Sequence, residues 1–339
     1  MYDLLLNQDE TMIVASVREF LEAELPIERL RPGAKPIDHD AVWQGMADLG
    51  WFGAGLPESA GGSGMGIVAE MLIQRECGRN LVSPMVLATM LACRVAHESG
   101  KDDLVEAFVS GEIAAALAID AAPLADGTIR KVLAPDWDGE QALLFWCEDG
   151  MGLFDAASLG SPELSDCIDG SVTLHAGDLA AHCASCWIDA SQAPLARRAD
   201  ILLAAGLVGL AERACDLAVG YARLREQFGK PIGSFQAIKH RCADMAVRQR
   251  LAWVQTCLAA LKFEAGAPDA DLQTASAKLL AAEAAHENGR ACIQIHGGIG
   301  FQSECDAHWF VKRAVIYDQA GGAMARQAER VIAQPRPDW

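Results

Sequence analysis

Long apolar runs are missing from this sequence. The longest, ILLAAGLVGLA from Ile201, holds 11 residues counting its glycines, and a helix needs about 20 to cross a bilayer. The opening stretch MYDLLLNQDE has no basic segment, so no secretory signal is expected. A soluble, cytoplasmic protein without membrane contact is the expectation. Positive charge is also scarce. Against 46 Asp and Glu stand 28 Lys and Arg, a formal net charge of −18, which disfavours nucleic acid or an anionic membrane as partner.

Phosphate-loop and metal signatures are missing too. No G-x-G-x-x-G follows a strand pattern and no G-K-S/T occurs, so the glycine-rich LGWFGAGLPESAGGSGMG (49–66) reads as a structural turn. The 11 cysteines are odd in number and scattered. A disulfide framework is therefore not expected, and reduced, mostly buried thiols are. Cys183 and Cys186, in HCASC, have ligand-like spacing, but no second CxxC or HxxxH supplies the rest of a zinc site. Packing is their expected role, and no metal is expected.

What is present is apolar and periodic. Hydrophobic residues make up 51% of 339, enough for two or three domains with real cores. An amphipathic pattern from Thr11 to Leu25 stops at Pro26, and another helix follows the glycine-rich loop through Ile73 and Cys77. From Ala114 to Asp189 the character changes. AAALAID, IRKVLAP, QALLFWC, GLFDA, SVTLHA and SCWIDA are short apolar stretches separated by turn formers, as in a small β domain.

After Pro194 the helical period returns. Leu203, Leu207, Leu210, Ala214, Leu217, Tyr221 and Leu224 recur at steps of four and three, a core seam. A turn, FGKPIG, leads to a helix from Phe235 to Phe263. A third, from Leu272 to Ile295, ends where Gly297 and Gly298 stop it, and two shorter helices finish the chain. The fold expected is mainly α with a small β domain: a helical domain over 1–113, a β domain over 114–195 and a four-helix bundle over 196–339.

Charge is uneven along that bundle. Between Tyr221 and Arg250, seven basic residues (Arg223, Arg225, Lys230, Lys239, Arg241, Arg248, Arg250) face two acids, Glu226 and Asp244. A local excess of five cations in an acidic chain favours an anion such as a pyrophosphate.

REQFGKPIGSFQAIKHRCADM (225–245) and IQIHGGIGF (293–301), set in this layout, resemble the acyl-CoA dehydrogenase family, and DLGWFGAGLPESAGG echoes its N-terminal loop. The resemblance implies FAD lying across a subunit interface. The Arg and Phe of RxxFG and the Gln of FQA would reach a neighbour's flavin nucleotide, and the Gln and glycines of QxxGG its adenosine-diphosphate portion. Carried over, these are Arg225, Phe228, Gln236, Gln294, Gly297 and Gly298. Physical chemistry agrees independently. A guanidinium fork suits a pyrophosphate, and glycines at a helix end allow close backbone approach.

Other family features are missing. ALAIDAAPLADG (116–127) stands where members carry a TEPGAGSD-like loop that holds the isoalloxazine ring. A gap-free count from Gly298 puts Gly321 at the usual catalytic Glu and Ala323 at the Thr of the same motif. Some relatives place the base at the start of the first bundle helix; there the count from Gly206 gives Ala199, with Asp200 beside it. Asp200 is expected to be a helix N-cap or first-turn acid. Glu304 follows HGGIGF without a catalytic role in the family.

The features kept would serve a neighbour's flavin, and those lost would serve this chain's own. The resemblance therefore implies the flavin-supporting subunit of a two-component acyl-CoA dehydrogenase, α2β2 with a homologous catalytic subunit. Its substrate would be an acyl-CoA such as a steroid side-chain thioester, and its electron acceptor an electron-transfer flavoprotein or similar protein. Two alternatives stand beside it: a self-sufficient homo-oligomeric FAD enzyme using Asp200, and a non-catalytic scaffold of the same fold.

Overall fold

The computed structural model describes residues 5–123, 129–147 and 149–334. Helix α1 (Gln8–Glu24) starts where Asn7 Oδ1 accepts from the Glu10 N–H and Glu10 Oε2 from the Asn7 N–H, each at 2.8 Å. This reciprocal pair satisfies two otherwise orphaned donors. Val14, Val17 and Leu21, spaced three and four apart, are its buried stripe. Helices α2 (His39–Asp48), α3 (Gly66–Arg79), α4 (Met85–Glu98) and α5 (Asp102–Val109) complete the N-terminal part.

Seven strands follow: β1 (Ala115–Pro123), β2 (Ile129–Pro135), β3 (Ala142–Trp146), β4 (Gly150–Phe154), β5 (Leu159–Leu164), β6 (Leu174–Ala180) and β7 (Cys186–Asp189). They form one sheet in the order β5-β6-β2-β1-β3-β4-β7. All its pairings are antiparallel except β1 with β3. The apolar stretches read from sequence fall on six of the strands. β5, LGSPEL, has one buried residue, Leu159, and five exposed ones, so it carries no apolar alternation to read.

The C-terminal part is built on α6 (Leu195–Leu224), α7 (Gln236–Glu264), α8 (Ala270–His296), α9 (Ala307–Gln319) and α10 (Met324–Ala333). α6 is the central element. Its apolar run from Ile201 to Ala211 is buried on every side, which is why it reads as continuous rather than striped. Two glycines let neighbours close on it: a Cβ at Gly209 would lie 2.0 Å from the Arg75 carbonyl oxygen, and one at Gly206 would lie 2.6 Å from the Tyr317 ring.

Ion pairs join the parts across the core. Arg75 and Arg79 both bind Glu212 (2.8 and 3.1 Å), linking α3 to α6. Arg313, fully buried on α9, donates to Asp169 at 2.6 Å and to the Val82 carbonyl at 2.5 Å, tying the bundle to the β part and to the loop before α4. Removing one partner from such a buried pair costs about 3–5 kcal/mol. Among the described residues no helix is long and apolar enough to cross a membrane.

Candidate functional site

The turn after α6 is a two-residue β-hairpin. Arg225 closes the helix, its N–H donating to the Tyr221 carbonyl at 2.8 Å. Strand β8 (Glu226–Gln227) then pairs with β9 (Lys230–Pro231), and Phe228 (φ +52°) and Gly229 (φ +75°) occupy the turn. Two consecutive positive φ values are what a tight hairpin with right-handed strand twist requires. Glycine meets that requirement freely, whereas a phenylalanine there costs on the order of 1 kcal/mol. The strain is not offset by burial, since Phe228 is 92% exposed and touches Phe235 edge-on at 6.1 Å. A strained, exposed aromatic is a candidate for contact outside the chain.

Gln236 is the first residue of α7 and exposed. Gln294 and the helix-ending Gly297 (φ +66°, ψ −144°) and Gly298 are exposed as well, and a Cβ at either glycine would meet nothing within 4 Å. The two segments adjoin, because the Tyr221 ring lies on the His296 ring at 4.2 Å and 26°. Arg225, Phe228, Gln236, Gln294, Gly297 and Gly298 thus share one end of the bundle.

Charge at this end is unspent. Among the described residues Arg223, Arg225, Lys239 and Arg241 make no salt bridge here; Arg248 and Arg250 lie farther along α7, where Arg248 donates only to Asn288, at 3.1 Å. Lys230 lies over the Phe235 ring at 4.4 Å. Leu224, Val247, Leu251 and Phe301 stand more than half exposed among these cations. Bare guanidiniums beside an open glycine corner fit the phosphates and adenosine of a dinucleotide. Glu304, exposed, accepts from the Ser303 hydroxyl at 3.1 Å and has no other partner among the described residues.

Asp200 is at the other end of α6, twenty-five residues before Arg225 and so about 37 Å away along the helix. It is not an N-cap or first-turn acid. α6 begins earlier, at Leu195 directly after Pro194, which places Asp200 in the second turn, 2% exposed. Its Oδ1 accepts from Lys278 Nζ at 3.1 Å and its Oδ2 from Arg330 at 2.5 Å. Lys278 is wholly buried and also donates to the Ala320 carbonyl. Burial lowers its pKa below the ordinary lysine value, against the opposing pull of Asp200. Arg330 continues to Asp271 at 2.8 Å, which also takes Arg197 at 3.1 Å. Asp200 is a structural anion here, with both oxygens engaged.

Asp200 and Gly321 border the same cavity, of about 470 Å³, beneath Trp146 and Met151. Gly321 has φ +67°, and a Cβ there would stand 2.6 Å from Trp146 Nε1 and 3.2 Å from Asp200 Oδ1. The two positions weighed for a catalytic base are therefore neighbours in space. One is occupied by an ion-paired carboxylate, and the indole closes over the other. Sequence reading missed Trp146, Lys278 and Arg330. Of the three, only Lys278 left a trace, as a cation within the alanine-rich QTASAKLLAAEAA. Ala323, buried Ala199 and residues 116–123 of β1 carry no acid or base that could replace them except exposed Asp120, whose carboxylate is paired with Arg130 at 2.5 Å; residues 124–128 of ALAIDAAPLADG lie outside the described residues.

Cys183 is exposed and Cys186 is buried, so the two thiols of HCASC share no site. Among the described residues no group of three His, Cys, Asp or Glu side chains is placed to hold a metal. Desolvation raises the Cys93 and Cys257 thiols to about 12.

Comparison with known proteins places this arrangement. The family model for the acyl-CoA dehydrogenase N-terminal domain matches residues 7–114 and that for the C-terminal domain matches 197–334. Acyl-CoA dehydrogenase FadE34 of Mycobacterium tuberculosis is 33% identical over 305 residues, 86% of this chain but 42% of FadE34. The chain thus spans less than half of that relative. Acyl-CoA dehydrogenase IpdE2 of the same organism is 32% identical over 280 residues, 81% of this chain and 80% of IpdE2. Among solved structures, the ChsE4-ChsE5 complex from Mycobacterium tuberculosis includes a chain with TM-score 0.82 and 22% identity, covering 99% of this chain and 100% of that one. The Tcur3481-Tcur3483 steroid ACAD G363A variant gives TM-score 0.82 and 24% identity, with 96% of each chain covered. The chain belongs to the acyl-CoA dehydrogenase family, whose members are FAD-dependent oxidoreductases.

Proposed function

We propose that this chain is the flavin-supporting subunit of a two-component acyl-CoA dehydrogenase. It would place Arg225, Phe228, Gln236, Gln294, Gly297 and Gly298 on the nucleotide of an FAD seated in a homologous catalytic subunit, most simply in an α2β2 assembly. One observation carries the reading. Four cations that make no salt bridge among the described residues (Arg223, Arg225, Lys239 and Arg241) and an open glycine corner stand at the far end of α6, about 37 Å along it from the cavity beneath Trp146, so they do not serve that cavity.

In this reading the Arg225 fork holds the pyrophosphate, and Gly297 and Gly298 let the adenosine approach the backbone. Phe228 and the apolar side chains beside it exclude water at the junction. FAD, when bound, supplies the hydride acceptor for α,β-dehydrogenation of an acyl-CoA. Removing the α-proton needs a carboxylate free to accept it, and Asp200 offers no free oxygen. The partner would supply the base.

The substrate we infer is a bulky acyl-CoA such as a steroid side-chain thioester, passing electrons to an electron-transfer flavoprotein or similar acceptor in the cytoplasm. The names of the ChsE4-ChsE5 complex and of the steroid ACAD support a heteromeric and steroid-directed reading.

Arg225→Ala in the assembled complex tests it. Loss of one or two charge-assisted hydrogen bonds, each about 1.5–3 kcal/mol, should weaken FAD binding roughly ten- to a thousandfold. Arg225→Lys should restore only part of this, since a point charge cannot reproduce the fork. The isolated chain should melt unchanged. An isolated variant that unfolds readily, with a complex that keeps its FAD, would make Arg225 a helix-end residue and remove the functional reading.

A further inference from the structure

The arginine turn and the glycine corner are sixty-odd residues apart in sequence. Among the described residues no hydrogen bond or ion pair joins residues 225–236 to 294–301. What meets instead is one aromatic pair. The Tyr221 and His296 rings stack at 4.2 Å and 26° on the ends of α6 and α8. Tyr221 is joined to the arginine turn through its backbone, and the His296 ring is held by the carbonyl one turn before it. The Tyr221 carbonyl accepts the Arg225 N–H at 2.8 Å. His296 Nδ1 is 2.8 Å from the carbonyl of Cys292. A carbonyl can only accept, so Nδ1 carries the proton and the imidazole is held in one orientation. His296 directly precedes Gly297, whose backbone is in a region open to glycine alone.

We propose that the Tyr221–His296 stack is a clasp that sets the spacing between the arginine fork and the glycine corner, making both residues positioning residues for the dinucleotide. The proposal rests on the flavin reading above. Bond by bond the path runs from Arg225 N–H to the Tyr221 carbonyl, from ring to ring, and from the His296 backbone into Gly297. A clasp of this kind acts on ligand affinity, because a bound dinucleotide must touch both segments at once and their misplacement is a binding cost. It adds little to the fold, since α6 and α8 already pack together below it through buried alanine, leucine and cysteine side chains.

The test is FAD titration of the assembly that carries FAD, using Tyr221→Leu, His296→Leu, the double variant and Tyr221→Phe, with Arg225→Ala as control. Loss of a stacked pair should raise the FAD dissociation constant about three- to tenfold in each single leucine variant. The double variant should be within about twofold of either single one, because both remove the same interaction. Tyr221→Phe keeps the stack and should bind within about twofold of the parent. Thermal midpoints of the isolated chains should coincide within about 2 °C.

An unchanged dissociation constant in Tyr221→Leu, while Arg225→Ala weakens binding, overturns the clasp and leaves the flavin reading standing. So do singles whose effects multiply in the double variant, or a Tyr221→Phe as weak as Tyr221→Leu. If Arg225→Ala also leaves FAD bound unchanged, the flavin reading itself fails and the clasp with it. A lowered midpoint with unchanged affinity assigns the pair to the fold and overturns the proposal.

Discussion

The two ends of α6 treat charge in opposite ways. Near its start, Asp200, Lys278, Arg330, Asp271 and Arg197 form a continuous network in which every charge meets its opposite, and the two inner members are almost completely buried. At its end, among the described residues, Arg223, Arg225, Lys239 and Arg241 face solvent without a salt bridge, beside a strained Phe228 and a bare glycine corner. A closed network resists change, because each of its charges already has its opposite. Hydrated cations and exposed aromatic surface leave charge and apolar area available to a ligand. Under the proposed function, the difference separates a region that serves the fold from one that meets a partner or cofactor.

Substitutions can break that contrast at either end. The largest effect should come from Asp200→Asn, which leaves Lys278 buried without its anion. The isolated chain should lose about 3–5 kcal/mol in chemical denaturation. A loss below about 1 kcal/mol would mean that the network is relaxed in solution and the carboxylate is available for chemistry after all.

Gly321→Ala sharpens the same end. The new methyl would meet Trp146 and force an alanine into positive φ, so a loss of about 2 kcal/mol is expected. A neutral result would show that the indole moves aside readily and that an acid at this position could be accommodated.

The smallest effect belongs to the other end. Phe228→Asn puts a residue that tolerates positive φ into the hairpin and removes an exposed ring. The isolated chain should change by less than about 0.5 kcal/mol, whereas retention of FAD by the assembly should fall. If the chain is destabilised and the assembly is unaffected, Phe228 belongs to the fold, and the contrast between the two ends disappears.

Much of this molecule was legible in its sequence. Period-3.6 seams located the helices of the bundle within a few residues, apart from α6, whose start at Leu195 was set too late, and short apolar stretches located six of seven strands. β5 was missed because five of its six side chains face solvent. The hairpin residues were visible because turn chemistry and charge are local: Arg225, Phe228 and Gly229 fall within the single stretch REQFG. The cavity end was not legible, because its network joins α6, α8 and α10, with the Asp200–Arg330 pair 130 positions apart. Polar LARRA before Asp200 also disguised a helix already under way, so a buried second-turn anion read as a cap. The Tyr221–His296 stack was hidden for the same reason, with Tyr221 read only as the next apolar step of a seam.

The most direct test of the account is the FAD content of this chain, alone and with any homologous subunit recovered with it from its native host, read from flavin absorbance near ~450 nm. The account predicts little or no FAD in the isolated chain, and one FAD for each pair of unlike subunits in the complex. Near-stoichiometric FAD in the isolated chain would contradict it, because copies of this chain would then complete a flavin site without a second kind of subunit.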